Sequence, residues 1–158
     1  MFSFLKKNND SGKRNEIVKK LKKRYGTDCQ FINRIEYEEN NLIVLICDYN
    51  PLIQINIFHV SSNSVSTLKA VYYEEEKKIH ICDIICYSNN KGFGSILMKE
   101  LINYAVGLKC KLVSGYLAKV DIDDHKDRLF HFYNKFGFKI VEKKDAGNLI
   151  YDITLQLT

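Results

Sequence analysis

The stretch "CYSNNKGFGSILMKEL", residues 86–101, decides how the chain is read. It places Gly92 and Gly94 where a run of β-formers, "KIHICDIICY" (78–87), gives way to apolar residues at helical spacing. From Ser95 on, Ile96, Leu97, Met98, Leu101, Ile102, Ala105 and Leu108 fit a helix, and Gly107 is a natural C-terminal stop. A strand that enters a helix through glycines makes an anion site. The first backbone N–H groups of the helix have no partner inside it, the helix dipole adds partial positive charge, and glycine lets a ligand come close. Lys91 supplies a cation beside this turn and Ser95 a hydroxyl. The spacing is not that of a P-loop, because Gly94 is followed by Ser95 and Ile96. It is not the dinucleotide fingerprint either, because Leu97 stands where a third glycine belongs.

On the C-terminal side, "KLVSGYLAKV" (111–120) returns to strand character, "DIDD" (121–124) offers helix N-cap residues, and "RLFHFYNKF" (128–136) reads as an aromatic-rich helix closed by Gly137. "FKIVEK" and "NLIYDITLQL" are two closing strands. On the N-terminal side, "CQFINRIEYE" (29–38), "NLIVLICDY" (41–49), "LIQINIFHV" (52–60) and "STLKAVYYE" (66–74) are β-like runs separated by turns, and "EEEKK" (74–78) is a hairpin tip. A helix over residues 13–25 precedes them. The strand–helix–strand unit 78–117 requires parallel neighbours. The expected class is therefore α/β (α+β mixed): a mostly antiparallel, twisted sheet of about seven strands flanked by helices, with one parallel crossover.

Bulk properties agree with a single domain over 1–158, formed of a basic N-terminal helical segment (1–27) and a core at 78–141. The 158 residues are 46% hydrophobic and 27% charged, which excludes a disordered chain. The net charge of +5 is concentrated at one end: residues 1–25 hold nine Lys or Arg against Asp10 and Glu16, so the rest is slightly acidic. "IVKKLKKRY" reads first as a helix with an apolar stripe and a solvated lysine face. Contact with nucleic acid or an anionic surface is the alternative. No run is long enough to span a membrane, and "MFSFL" is too short for the apolar core of a signal peptide. Five cysteines, an odd number, point to reduced thiols and a cytoplasmic protein. Cys82 and Cys86 on one strand would lie about 13 Å apart, too far for a disulfide. No metal-ligand spacing is present, so no metal site is expected.

Residues 79–141 resemble the GNAT superfamily of acyl-CoA-dependent N-acetyltransferases. That superfamily's phosphate signature is Gln or Arg, two residues, glycine, any residue, then glycine or alanine, and Asn89 to Gly94 fits it with Asn in the first place. "HFYNKFGF" (131–138) is similar to its second signature, an aromatic–Tyr pair followed by Lys-x-Gly-Phe. The first 60 residues carry little of the likeness. The resemblance implies acetyl-CoA as co-substrate, its pantetheine arm lying along Ile84, Ile85 and Cys86 like an added strand. Its pyrophosphate would rest on the turn formed by Asn89, Lys91, Gly92, Phe93, Gly94 and Ser95. A backbone N–H near Ile85 would polarise the thioester carbonyl.

The implied reaction is direct attack by a primary amine of a small molecule or protein, with Tyr133 protonating the departing thiolate. Many members carry a Glu on this strand where Cys82 stands, so the base falls to the neighbouring Asp83, with Glu36, Glu38 or a water chain as alternatives. Cys86 is not expected as a nucleophile, since no histidine is placed beside it by sequence. His80 and His131 read as packed or surface histidines. Three features depart from the pattern: Asn89 itself, the short "YS" before it, and Lys126 where members carry a cofactor-contacting Asn. The second reading is a CoA-binding regulatory or interaction module without catalysis, favoured by the absent Glu. Dimers are frequent in the superfamily, so a homodimer is allowed without being required.

Overall fold

The computed structural model describes residues 2–26, 29–34, 42–60, 62, 64–88, 91–143 and 147–158; for 2–11, 13 and 29–34 only the backbone is described. The chain runs α1 (Phe2–Tyr25), β1 (Cys29–Arg34), β2 (Leu42–Tyr49), β3 (Leu52–His59), β4 (Ser64–Tyr73), β5 (Lys78–Ile85), α2 (Phe93–Gly107), β6 (Leu112–Ala118), α3 (Lys119–Asn134), β7 (Lys139–Glu142) and β8 (Leu149–Gln156). These strands form one sheet of eight in the order β1-β2-β3-β4-β5-β6-β8-β7. Among them β5 and β6 are parallel, joined through α2, and the other neighbours are antiparallel.

Alternation along each strand sorts the residues between two faces. Ile53, Ile55 and Ile57 of β3, Leu68 and Ala70 of β4, Ile79 and Ile81 of β5, and Val113 and Leu117 of β6 enter one buried cluster. Ile96, Leu97, Met98, Leu101 and Ala105 of α2 and Tyr133 of α3 join the same cluster, so both helices cover one face. On the opposite face, Leu21 of α1 packs with Ile43 and Val60, backed by Ile17, Val18, Tyr25 and Phe58. β2 is buried on both faces, which is why "LIVLIC" is an unbroken apolar run.

Two expectations are corrected here. "DIDD" does not cap a helix from outside: α3 begins at Lys119, with Ala118 as an extended N-cap that makes no side-chain bond. The reason is tertiary, because the Lys119 N–H donates to the Asn148 carbonyl at 2.7 Å, so that terminus needs no Asp to satisfy it. The aromatic segment follows a kink at His125 (φ −141°, ψ 21°). The first helix is also longer than the expected 13–25. Gly107 does end α2, but the left-handed residue of the stop is Lys109 (φ 55°).

Two irregularities shape the middle of the sheet. In the β4–β5 ladder Ala70 pairs with Ile81 and Lys69 with Asp83, so Cys82 is an extra, bulged residue. The parallel ladder joins Lys78–Ile81 to Leu112–Gly115 and ends there. Beyond it Asp83, Ile84 and Ile85 pair only with β4, while Tyr116 to Ala118 pair with β8. The sheet therefore opens between β5 and β6 on the C-terminal side of Ile81 and Gly115.

Candidate active site

The gap and the start of α2 are built by adjacent residues. β5 runs out at Ile85, and seven residues later Gly92 turns the chain into α2 with φ 78°. A side chain would meet nothing within 4 Å at Gly92, so it is the left-handed backbone that calls for glycine there. Gly94 differs. Its φ is not positive, and an added Cβ would lie 3.4 Å from Cys86 Sγ and from Phe132 Cε2, an ordinary packing distance. Neither strain nor crowding demands glycine at 94, whose Cβ position faces Cys86 and Phe132. Among the described residues no side chain caps α2, and its early bonds are those of the Ser95 and Ile96 N–H groups to the Gly92 carbonyl. The N–H groups that precede them lie at the open end of the helix dipole.

α3 brings its aromatic residues to this turn. Phe132 packs against Gly94 and stacks edge-on with Tyr133 (centroids 5.1 Å apart) and Phe136 (5.5 Å). Lys135, just past the helix end, donates to Ser95 Oγ at 2.6 Å, and its ammonium lies over the rings of Phe132 and Phe136. A cation thus stands at the mouth of α2 from a residue 40 positions away in sequence. Sequence reading missed Lys135; its place in "HFYNKFGF" carried the signal, but not its reach.

Tyr133 is buried at 6% exposure, held edge-on by Phe132 and by Phe138 (5.5 Å). Burial pushes its hydroxyl up to about 12, and the charges of Asp121 and Asp83 act in the same direction. The phenol is therefore protonated at neutral pH, the state a proton donor needs.

The other expected residues fall around the gap. Ile84 packs on the core, Ile85 is 54% exposed, and Cys86 lies under Gly94. Burial raises the Cys86 thiol, against the opposing charge of Arg128, which keeps it from acting as a thiolate. Phe93 is buried with its ring 4.1 Å from that of His59, so it anchors the helix start rather than facing a ligand. Lys91 is exposed, and its charge helps to lower the pKa of His59, after the larger effect of burial. Asn89, Glu36 and Glu38 lie outside the described residues. The Lys126 ammonium sits 5.4 Å from the ring centres of both Phe130 and Tyr151, so it serves the α3–β8 contact. Among the described residues no cluster is arranged to hold a metal ion, and no helix is long and apolar enough to cross a membrane.

The overall fold recurs in solved structures. The Campylobacter jejuni N-acetyltransferase PseH superposes with a TM-score of 0.53 at 21% identity, covering 70% of this chain and 71% of that one. A GNAT-family acetyltransferase from Staphylococcus aureus gives 0.56 at 11% identity, over 68% and 69% of the two chains. The PaiA N-acetyltransferase of Thermoplasma acidophilum, solved in complex with coenzyme A, gives 0.54 at 13% identity, over 68% and 62%. The chain has the fold of the GNAT superfamily. No protein-family model matches it. The uncharacterised Bacillus subtilis protein YocC is 46% identical over 72 residues, which are 46% of this chain and 42% of that protein's length.

Proposed function

We propose that the chain is an N-acetyltransferase that moves an acetyl group from acetyl-CoA to a primary amine. The observation that carries this reading is the end of the β5–β6 ladder at Ile81 and Gly115, beside the start of α2 at Gly92 with the Lys135 ammonium at its mouth. These residues fit a pantetheine diphosphate. An extended amide chain can bond along Asp83–Ile85, which pair on one side only, while a diphosphate takes the first N–H groups of α2 and the charge of Lys135.

The thioester supplies an activated acetyl group. The chain supplies the rest. A backbone N–H near Ile85 polarises the carbonyl. Tyr133 Oη, protonated at neutral pH, gives a proton to the departing sulfur. Asp83, at the bulge, draws the cationic amine to the gap.

A second reading follows from Cys82, a thiol raised by burial and by Asp83, standing where a carboxylate is expected: a CoA-binding module without turnover. One experiment separates the two. Acetyl-CoA is mixed with a panel of primary amines and thiol release is followed. Release that depends on an amine supports the enzyme; binding without release supports the module.

A further inference from the structure

We infer that His80 is the catalytic base, taking the proton from an acceptor amine that arrives on the sheet face opposite α2 and α3. The inference rests on the acetyltransferase reading above.

His80 sits one residue before the last parallel pair, Ile81 with Gly115, and is itself paired with Ser114. Ile79 and Ile81 face the helices, so His80 faces the other way, as do Ser114 and Tyr116 between the buried Val113, Gly115 and Leu117. Tyr133 belongs to the helix face. Proton acceptor and proton donor therefore stand on opposite faces of the sheet, at the point where β5 and β6 part. α1, the helix on the His80 face, packs over β2 and the end of β3.

The imidazole is held in place. Its Nδ1 lies 3.0 Å from Ser114 Oγ, and its ring is tilted against Tyr116 with centroids 4.8 Å apart. Tyr116 is backed by the Lys143 ammonium, 4.6 Å from its ring centre and 3.4 Å from Asp152 Oδ1. With Nδ1–H donating to Ser114, Nε2 carries the lone pair. The charged groups around the ring are Lys78 on β5, Asp152 on β8 and Lys143 after β7. Burial and Lys78 lower the imidazole pKa, and Asp152 opposes them. The ring is thus neutral at pH 7 and free to accept a proton.

The protons balance. Nε2 takes one proton from the ammonium and releases it to water. The freed lone pair forms the C–N bond at the thioester carbon and the C–S bond breaks. Tyr133 gives its proton to the sulfur, and the second nitrogen proton, lost as the intermediate collapses, restores Tyr133 through solvent. The products are an acetamide, a thiol and one proton in solution.

The test uses the full chain, acetyl-CoA and the most active amine of the panel. His80→Gln should bind acetyl-CoA as the wild type does, yet lose about 10²–10⁴-fold in kcat/KM. The wild-type acid limb, with a midpoint below the usual imidazole value of about 6.5, should disappear in the variant. In His80→Ala, added imidazole should restore part of the turnover, an effect that a purely structural histidine would not give. Wild-type rate and pH profile in His80→Gln overturn the inference, as does a slowed variant that keeps the acid limb and is not rescued. A wild type that fails to bind acetyl-CoA or to turn over removes the parent reading instead, and this one with it.

Discussion

Gly92 and Gly94, two positions apart, are held to glycine unequally, and a pair of substitutions shows it. Gly92→Ala forces a side chain into φ 78° and should cost about 1–2 kcal/mol of stability. Gly94→Ala meets only ordinary contacts at 3.4 Å and adds a helix former, so thermal unfolding should show it as stable as the wild type or up to about 1 kcal/mol more stable. It should bind coenzyme A as the wild type does in calorimetry, because the methyl group packs on Cys86 and Phe132. Tyr133→Phe keeps the ring packing against Phe132 and Phe138 and removes only the hydroxyl. Amine-dependent thiol release should fall about 10²–10⁴-fold with acetyl-CoA affinity retained; unchanged turnover would show that another group supplies the proton. At this scale the glycines were legible in the sequence because a turn between strand and helix restricts what can stand there. Lys135 was not, since its bond to Ser95 exists only once α3 lies across the start of α2.

Among the elements, β5 and β6 decide the architecture. Their ladder closes at Gly115, where an added Cβ would come within 3.0 Å of Ile153 Cδ1 and 3.3 Å of the Ile81 carbonyl oxygen. Gly115→Ala should therefore destabilise the fold by about 1–3 kcal/mol through overpacking, read as a lower denaturation midpoint with an unchanged slope. The strands themselves were legible from alternating apolar residues, and the crossover from the change of period at Ser95. The bulge at Cys82 was not, because its extra residue shows only against the partner strand. The start of α3 was misplaced for a like reason: the Asn148 carbonyl that satisfies the Lys119 N–H lies 29 residues further along the chain.

For the whole molecule, the fold puts α2 and α3 on one face and α1 on part of the other, and the gap between β5 and β6 passes between those faces. Acyl donor and acceptor can then meet from different sides without competing for the same surface. The basic N-terminal segment was legible as a helix, and its Leu21, buried against Ile43 and Val60, gives that helix a packing role independent of any anionic partner. The measurement that tests the account most directly is calorimetric titration of the folded chain with coenzyme A. Saturable 1:1 binding that weakens about tenfold in Lys135→Ala, the loss of one charge-assisted bond, is the expected result. No heat with coenzyme A or acetyl-CoA from protein shown to be folded would contradict it.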